Sequence, residues 1–406
     1  MCRSARIFLL WLCLAAAAGA DLSGELDALA GDGPSRSLSY LFVRCRDGEV
    51  LASREPDRLL VPASTLKILG AAVILEAAPE RLVTRVRASG PIDEGVLRGS
   101  LVLEGGWDPE LSRRDVEGLA ASLRAAGLRR VAGPLGFDGG PGDPFLGPGW
   151  SWEDAPYVYT PALGALRVDR GEIPIPPSSG DGDRTLIRRP GIPGTEVTGS
   201  SPEPVCMTDP DPAATAGSVF RQALEAAGIQ VDGPTLRLEA RGEIVAAHSS
   251  RPVIDLLSEG LAHSDNLILE SLYRRAGGGA PKELPPDSLR MVDGCGLSRY
   301  NLISVRQLVL VLRARAGFRE LLPRPGLAGT LERRFADSAA RELLAAKTGT
   351  MSTVSGLAGY LFPGSQEEIA FAILLNGHLG PMAPAKELEE RMVERVVTRI
   401  RWPYLR

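Results

Sequence analysis

A serine and a lysine lie three residues apart in an otherwise apolar segment, VPASTLKILGAAVILE (61–76). Lys67 is one of only four lysines among the 46 basic residues of the chain. The segment is typical of a helix, in which residues at i and i+3 share one face. Burial among apolar side chains should lower the pKa of Lys67, so that its amine could accept the hydroxyl proton of Ser64. The pair therefore predicts a serine nucleophile with a lysine as its general base.

Two later fragments strengthen this hypothesis, because a single Ser-x-x-Lys also arises by chance. HSDNLILE places Ser264 two residues before Asn266, and AKTGTMS places Lys347, Thr348 and Gly349 in a row on a predicted strand. Ser-x-x-Lys, Ser-x-Asn and Lys-Thr-Gly, in this order, are the motifs of penicillin-recognising serine enzymes. The alternatives are an exposed polar helix face for the second motif and a charged edge-strand position for the third.

Longer segments extend the similarity over nearly the whole chain after residue 20. The sequence resembles the D-alanyl-D-alanine carboxypeptidase/endopeptidase family, the low-molecular-mass class C penicillin-binding proteins. Two departures are visible: Cys295 stands where the family more often has serine, and the segment 170–212 is shorter than in the best-known members. The segments that carry the resemblance are PASTLK, AHSDN, DGCGLSRYNLIS, LAGTLERRF, AKTGT, GGWDPEL, PFLGPGWSWED and ALEAAGIQVDG.

The resemblance implies a role for each residue of the first two motifs. Ser64 would attack the carbonyl of the terminal D-Ala-D-Ala peptide bond, with Lys67 as its general base. Ser264 would relay a proton to the leaving amine, and Asn266 would hold a backbone amide of the substrate. Water would then hydrolyse the acyl-enzyme.

The resemblance also assigns the third motif to substrate binding. Lys347 would supply positive charge to the terminal carboxylate and to the proton relay, and Thr348 would bond that carboxylate. Gly349 belongs to the same motif. The backbone N–H groups of Ser64 and Thr350 would form the oxyanion hole.

One further candidate comes from the segment 137–150, which the resemblance places near the mouth of the cleft. Asp138 is the carboxylate there most like the one that reads the basic end of a diamino-acid stem peptide. The alternative is that Asp138 caps a turn beside Gly139 and Gly140, since aspartate often bonds backbone two residues on.

The first twenty residues predict a secretory signal peptide, with two arginines, a 12-residue apolar stretch and small residues before Asp21. No later segment is as long as a membrane span. We therefore expect a secreted protein of the periplasmic or extracellular cell envelope, without a transmembrane segment. The formal net charge is −4, or −6 without residues 1–20, which argues against nucleic acid as a partner.

Histidine usage argues against a metal site, cysteine usage argues against a disulfide scaffold, and no cofactor is expected. The three histidines are scattered without metal-ligand spacing. Outside residues 1–20 the cysteines are Cys45, Cys206 and Cys295, too few for a disulfide scaffold. Three buried thiols are expected, with one disulfide bridge as the alternative.

The pattern of elements predicts an α/β (α+β) chain with one domain interrupted by an insertion. The resemblance implies the penicillin-binding/β-lactamase-like transpeptidase fold, an antiparallel sheet flanked by helices. The catalytic domain would comprise 21–84 and 241–406. A β-rich inserted domain would occupy 85–240, with the family's third small domain reduced or absent in 170–212. Asp47-Gly48 predicts a hairpin within 37–57, and no internal repeat is apparent.

The resulting hypothesis is a serine D-Ala-D-Ala carboxypeptidase, with or without endopeptidase activity. Its partners would be peptidoglycan stem peptides and β-lactam inhibitors. One alternative is a β-lactamase-like hydrolase, against which the long insertion and the lack of a Glu-x-x-Leu-Asn stretch argue. The other is an inactive cell-wall-binding relative, which predicts decayed catalytic residues, whereas all are present.

Overall fold

The computed structural model describes residues 22–31, 37–141, 146–175 and 205–401. The predicted signal peptide, 1–20, lies outside these residues. The helices are 22–30 (α1), Lys67–Ala77 (α2), Arg113–Ala125 (α3), Pro212–Ala226 (α4), Val253–His263 (α5), Asn266–Arg275 (α6), Val305–Ala314 (α7), Phe318–Leu321 (α8) and Ala383–Arg401 (α9). The strands are Ser37–Arg44 (β1), Val50–Arg54 (β2), Arg81–Ala88 (β3), Ile92–Asp93 (β4), Val96–Leu97 (β5), Leu101–Glu104 (β6), Arg130–Val131 (β7), Leu135–Asp138 (β8), Glu172–Ile175 (β9), Val205–Thr208 (β10), Gln230–Val231 (β11), Thr235–Arg237 (β12), Glu243–Pro252 (β13), Leu344–Met351 (β14), Val354–Leu361 (β15) and Ile369–Asn376 (β16).

The chain folds into two compact units. The first comprises Met1–Val73, Ser258–Asp265 and Gly278–Arg406, and the second comprises Ile74–Leu257 and Asn266–Gly277. The second unit therefore begins before and ends after the predicted insertion. We expected a reduced or absent third domain in the segment 170–212. The described parts of this segment include a two-stranded antiparallel pair, β9 with β10.

The first unit is built on a five-stranded antiparallel sheet in the order β14-β15-β16-β1-β2. Helices α1 and α9 pack on the core of this sheet, where the rings of Phe42 and Phe371 stack 5.4 Å apart on paired strands. Leu388, Met392 and Val396 form the buried stripe of α9 that its 3.6-residue period indicates. This architecture confirms the predicted antiparallel sheet flanked by helices.

The predicted hairpin is also present in the first unit. Strands β1 and β2 pair, and Gly48 in their connection has a φ of +77°, a conformation that glycine adopts readily. A register shift after Phe42 marks a bulge.

The second unit contains a motif that the sequence patterns did not predict. Strands β6, β8 and β12 run parallel, and α3 and α4 are the helices of the two crossovers between them. Strands β3 and β13 complete this sheet in antiparallel pairs, giving the order β12-β8-β6-β3-β13. The block predicted to be β-rich is therefore a mixed sheet with a βαβαβ unit.

Each of the three parallel strands continues a shorter one, through a bend that contains a glycine. A β-carbon on Gly133 would lie 2.3 Å from the carbonyl oxygen of Gly99, and one on Gly233 would lie 2.4 Å from that of Gly133. The bends therefore stack backbone against backbone, which a side chain would prevent. This short structural repeat was not recognised in the sequence, because the feature that its units share is one glycine each.

The three cysteines within the described residues are free, as expected, but only Cys295 is buried. Cys45 is half-buried and Cys206 is exposed, so the expectation of three buried thiols is wrong for Cys206. No helix in the described ranges is both long and apolar enough to cross a membrane.

Candidate active site

The nucleophile candidate lies where a tight turn becomes a helix. A 3₁₀ turn over Ala63–Leu66 runs directly into α2, which begins at Lys67. Ala63 has a φ of +48°, a strained conformation for a residue with a side chain. Ser64 follows it in the first turn, where backbone N–H groups lack intrahelical partners and favour negative charge.

Lys67 is the buried partner of this serine. Its side chain is fully buried, and its Nζ lies 3.0 Å from the Ser64 Oγ. The same Nζ donates to the carbonyl oxygen of Cys295 at 2.5 Å. The amine is therefore fixed between the hydroxyl that it would deprotonate and a backbone acceptor.

The loop that provides this acceptor is held by one carboxylate. Asp293 accepts hydrogen bonds from the backbone N–H groups of Gly296 and Ser298, at 2.8 and 2.7 Å, and from the Asn301 side-chain amide at 2.9 Å. Glycine is needed at Gly296, because a β-carbon there would lie 2.1 Å from the Ala63 carbonyl oxygen. The contact with Lys67 is made by the backbone carbonyl of Cys295. It therefore does not depend on whether the side chain at this position is cysteine or serine.

A second buried lysine holds the second serine. The Nζ of Lys347 donates to the Ser264 Oγ and to the Thr348 carbonyl oxygen, both at 2.9 Å. Ser264 follows the last residue of α5 with a φ of +59°, so it lies in a connection and not on a helix face. Burial lowers the pKa of Lys347 well below its usual range, and the charge of Lys67 lowers it further.

Strand β14 brings the third motif to the nucleophile turn. A β-carbon on Gly349 would lie 2.9 Å from the Pro62 carbonyl oxygen and 3.0 Å from the Thr65 nitrogen. Glycine therefore allows the strand to approach the turn that carries Ser64. Thr350 follows on the same strand and pairs with Ser355 of β15.

Thr330 is a site residue that the sequence motifs did not single out. Its Oγ1 lies 2.9 Å from the Oγ1 of Thr348, and its backbone N–H donates to the Ala262 carbonyl oxygen at 3.0 Å. It thereby ties the β14 hydroxyl to the end of α5, two residues before Ser264. The only sequence signal was its place in LAGTLERRF, a segment that carried the resemblance as a whole.

Asn266 and Asp138 belong to the second unit. The Asn266 side-chain amide donates to the Tyr159 carbonyl oxygen at 2.8 Å. The two carboxylate oxygens of Asp138 accept from the backbone N–H groups of Gly140 and Ala240, at 2.9 and 2.8 Å. These bonds favour the turn-capping alternative for Asp138, and its reading of a stem peptide stays a prediction.

The described chemistry of the first unit is that of two amines and several hydroxyls. Two fully buried lysines each contact one serine, and a threonine pair lies next to the second lysine. The arrangement suits nucleophilic acyl transfer with proton relay through amines.

Comparison with known families matches residues 22–195 and 188–398 to the D-Ala-D-Ala carboxypeptidase 3 (S13) family. The chain belongs to the S13 family. This confirms the resemblance drawn from its motifs, because the match spans most of the chain.

Individual relatives support this family assignment. A D-alanyl-D-alanine carboxypeptidase of Actinomadura sp. (strain R39) is 32% identical over 91% of this chain and 84% of its own length. The D-alanyl-D-alanine carboxypeptidase DacB of Haemophilus influenzae is 24% identical over 84% of this chain and 86% of its own. The crystal structure of penicillin binding protein 4 (dacB) from Haemophilus influenzae shares the fold, with a TM-score of 0.76 and 21% identity over 93% of this chain and 99% of that one.

The first prediction concerns the packing of α2 on the loop of Cys295. A β-carbon on Gly70 would lie 2.5 Å from the Gly294 carbonyl oxygen, whereas one on Gly118 of α3 would meet nothing within 4 Å. Gly70→Ala should lower the free energy of unfolding by about 1–3 kcal/mol and slow acylation by penicillin. The helical control Gly118→Ala should raise stability by about 0.5–1 kcal/mol. Urea unfolding and acylation kinetics measure both, and a Gly70→Ala protein as stable and reactive as wild type contradicts the packing argument.

The second prediction tests the threonine pair. Thr330→Val removes the hydroxyl that contacts Thr348, and should lower kcat/KM for D-Ala-D-Ala peptides by about 2- to 13-fold, the value of about 0.5–1.5 kcal/mol for one hydrogen bond. Thr330→Ser should restore activity because it keeps the hydroxyl, and the exposed Thr398→Val serves as control. Equal activity of Thr330→Val and wild type would show that the pair does not position Thr348.

The third prediction follows from the lowered pKa of Lys347. The folded protein binds this proton more weakly than the unfolded chain, so wild-type stability should fall as pH drops from the unfolded pKa of about 10.4 toward the folded value. Lys347→Met removes this contribution, so its stability should fall less steeply over the same range. Urea unfolding between pH 6 and 10 gives the two slopes, with the exposed Lys282→Met as control. Parallel slopes for Lys347→Met and wild type would contradict the lowered pKa.

Proposed function

We propose that the chain is a serine-type D-Ala-D-Ala carboxypeptidase that cleaves peptidoglycan stem peptides through an acyl-enzyme on Ser64. The observation that carries this proposal is the 3.0 Å contact between the Ser64 hydroxyl and the fully buried amine of Lys67. S13 membership and the relatives named D-alanyl-D-alanine carboxypeptidase support the substrate class.

Acylation begins with transfer of the Ser64 hydroxyl proton to Lys67. The Oγ then attacks the carbonyl carbon of the penultimate D-Ala, and the backbone N–H groups of Ser64 and Thr350 stabilise the oxyanion. The C–N bond breaks, and Ser264 passes its proton to the leaving amine and takes up the proton that Lys67 accepted, so that Lys67 is neutral again. Terminal D-Ala departs, leaving the shortened stem peptide esterified to Ser64.

Lys347 couples substrate recognition to this proton transfer. Burial and the nearby charge of Lys67 lower its pKa in the free protein. A substrate carboxylate beside it would favour its charged form. Since repulsion between two ammonium groups is mutual, a charged Lys347 in turn favours a neutral Lys67, the form that acts as base. The carboxylate would thus prepare the base as it binds, with Thr348 and Thr330 orienting it.

Water hydrolyses the ester in the second half-reaction and regenerates the Ser64 hydroxyl. The same Lys67 can accept a proton from the attacking water, since deacylation reverses the roles of acylation. An endopeptidase reaction would use the same steps on a cross-linked stem, with the amine of another stem as leaving group. Penicillin inhibits by forming an acyl-enzyme on Ser64, and the enzyme acts in the cell envelope outside the cytoplasm.

The fourth prediction tests the Ser64–Lys67 pair. Ser64→Ala should abolish covalent labelling by fluorescent penicillin and release of D-Ala from a pentapeptide. Lys67→Ala should keep the fold and lose at least about 10²-fold in acylation rate, the lower range for general base catalysis. The exposed Lys282→Ala is the matched control and should match wild type. Labelling that persists in Ser64→Ala, or rapid release of hydrolysed penicillin by wild type, would reject the carboxypeptidase assignment.

A further inference from the structure

The second unit contains a cavity of about 600 Å³ at one edge of its mixed sheet. The parallel strands β6, β8 and β12 all end there, and the residues that follow each strand form its wall. Carboxyl ends of parallel strands are the edge at which α/β sheets bind ligands. The volume is within the range of small-molecule sites, about 300–1,000 Å³. The lining residues used below are Glu104, Trp107, Asp138, Arg237 and Glu239.

Trp107 is the unusual member of this wall. It has a φ of +66°, in the left-handed region where glycine is favoured and a large side chain is strained. Its backbone N–H donates to the Ala165 carbonyl oxygen at 2.8 Å, which fixes the turn irrespective of the side chain. The indole is half-buried and lines the cavity. The fold therefore holds a strained tryptophan where glycine would suit the backbone better, which indicates that the indole itself is used.

The charged side chains of the cavity already have partners. Glu104 pairs with Arg87 at 2.6 Å, and Asp138 is bonded by two backbone N–H groups. Arg237 pairs with Asp211 at 2.7 Å and also lies over the Phe137 ring. Glu239 pairs with Arg241 at 2.6 Å. A ligand therefore need not bring charge, while the paired groups still offer hydrogen bonds from their outer atoms.

An indole beside fixed hydrogen-bonding groups suits a neutral, polyhydroxylated ring. The apolar face of a sugar can stack on the indole, and its hydroxyls can bond to carboxylate and guanidinium groups at the rim. The ammonium end of a stem peptide suits the cavity less well, because Glu104 and Glu239 already pair with arginines and both Asp138 oxygens already accept backbone N–H groups.

We propose that this cavity binds a sugar unit of the peptidoglycan glycan strand, with Trp107 as its stacking platform. The inference rests on the proposed function, which brings the chain to stem peptides that are attached to this glycan. The cavity then adds a recognition element for the sugar backbone to an enzyme whose chemistry concerns the peptide alone.

The test uses an N-acetylglucosamine tetramer as probe and isothermal titration calorimetry on the full chain. Wild type should bind the tetramer, and Trp107→Gly should weaken binding at least tenfold. Thermal unfolding of Trp107→Gly should show one cooperative transition, because glycine adopts the left-handed backbone of this turn readily. Trp152→Gly is the control, since Trp152 is 56% exposed in the same unit and does not line the cavity.

Three results would overturn the proposal: no tetramer binding by wild type, equal binding by Trp107→Gly, or binding of a sugar-free stem peptide that is lost in Trp107→Gly. Affinity for the tetramer should also change less than twofold between 50 and 500 mM salt, and a steep loss would contradict a neutral ligand. Penicillin acylation of Ser64 is measured on the same proteins. It should be unchanged in Trp107→Gly, so a failure of the glycan site and a failure of the catalytic assignment give different results.

Discussion

The buried amine of Lys67 is the interaction on which the rest of the catalytic unit depends. A fully buried ammonium is costly, so its environment must either neutralise it or give it acceptors. Here the Nζ has the Ser64 Oγ on one side and the Cys295 carbonyl on the other. Both acceptors come from segments brought together by glycines, since no β-carbon fits at Gly70 or Gly296. The glycines therefore allow the contacts of this amine as well as the packing of the two segments.

The second buried lysine explains why the two serine motifs and the strand motif occur together. Lys347 is held by the Ser264 hydroxyl and its own strand, and the charge of Lys67 lowers its pKa. Two amines that repel each other cannot both hold protons cheaply in a buried site. In the mechanism we propose, a carboxylate substrate changes this balance, so that the terminal D-Ala carboxylate takes part in the catalytic chemistry as well as in recognition.

The sequence predicted the parts of this site that have a chemical signature. Ser64, Lys67, Ser264 and Lys347 could be singled out because three short motifs occur together and in one order, and each lysine contacts its serine in the structure. The antiparallel sheet followed from the family resemblance. Thr330 was missed because it lies in a turn without periodicity, 18 positions before Thr348, its partner on β14. Glu389 was hidden in the same way. Glu389 lies buried on α9 and accepts a hydrogen bond from the Ser355 hydroxyl at 2.6 Å, and Ser355 is the residue that pairs with Thr350. The sequence pattern of α9 indicates only the apolar stripe of the helix.

The second unit shows most clearly what sequence patterns leave undetermined. The short strands from 96 to 138 alternate like those of an antiparallel domain, and only strand pairing reveals that β6, β8 and β12 are parallel. That direction matters, because it places the ends of three strands, and the turns after them, at one edge. Trp107, which the sequence shows only as an apolar residue in a turn, lines the cavity at this edge. Its strained backbone and its position in the cavity belong together. If only the turn were needed, glycine would form it without strain. The second unit thus presents, at the edge of its own sheet, a tryptophan and fixed hydrogen-bonding groups that suit the sugar ligand we propose.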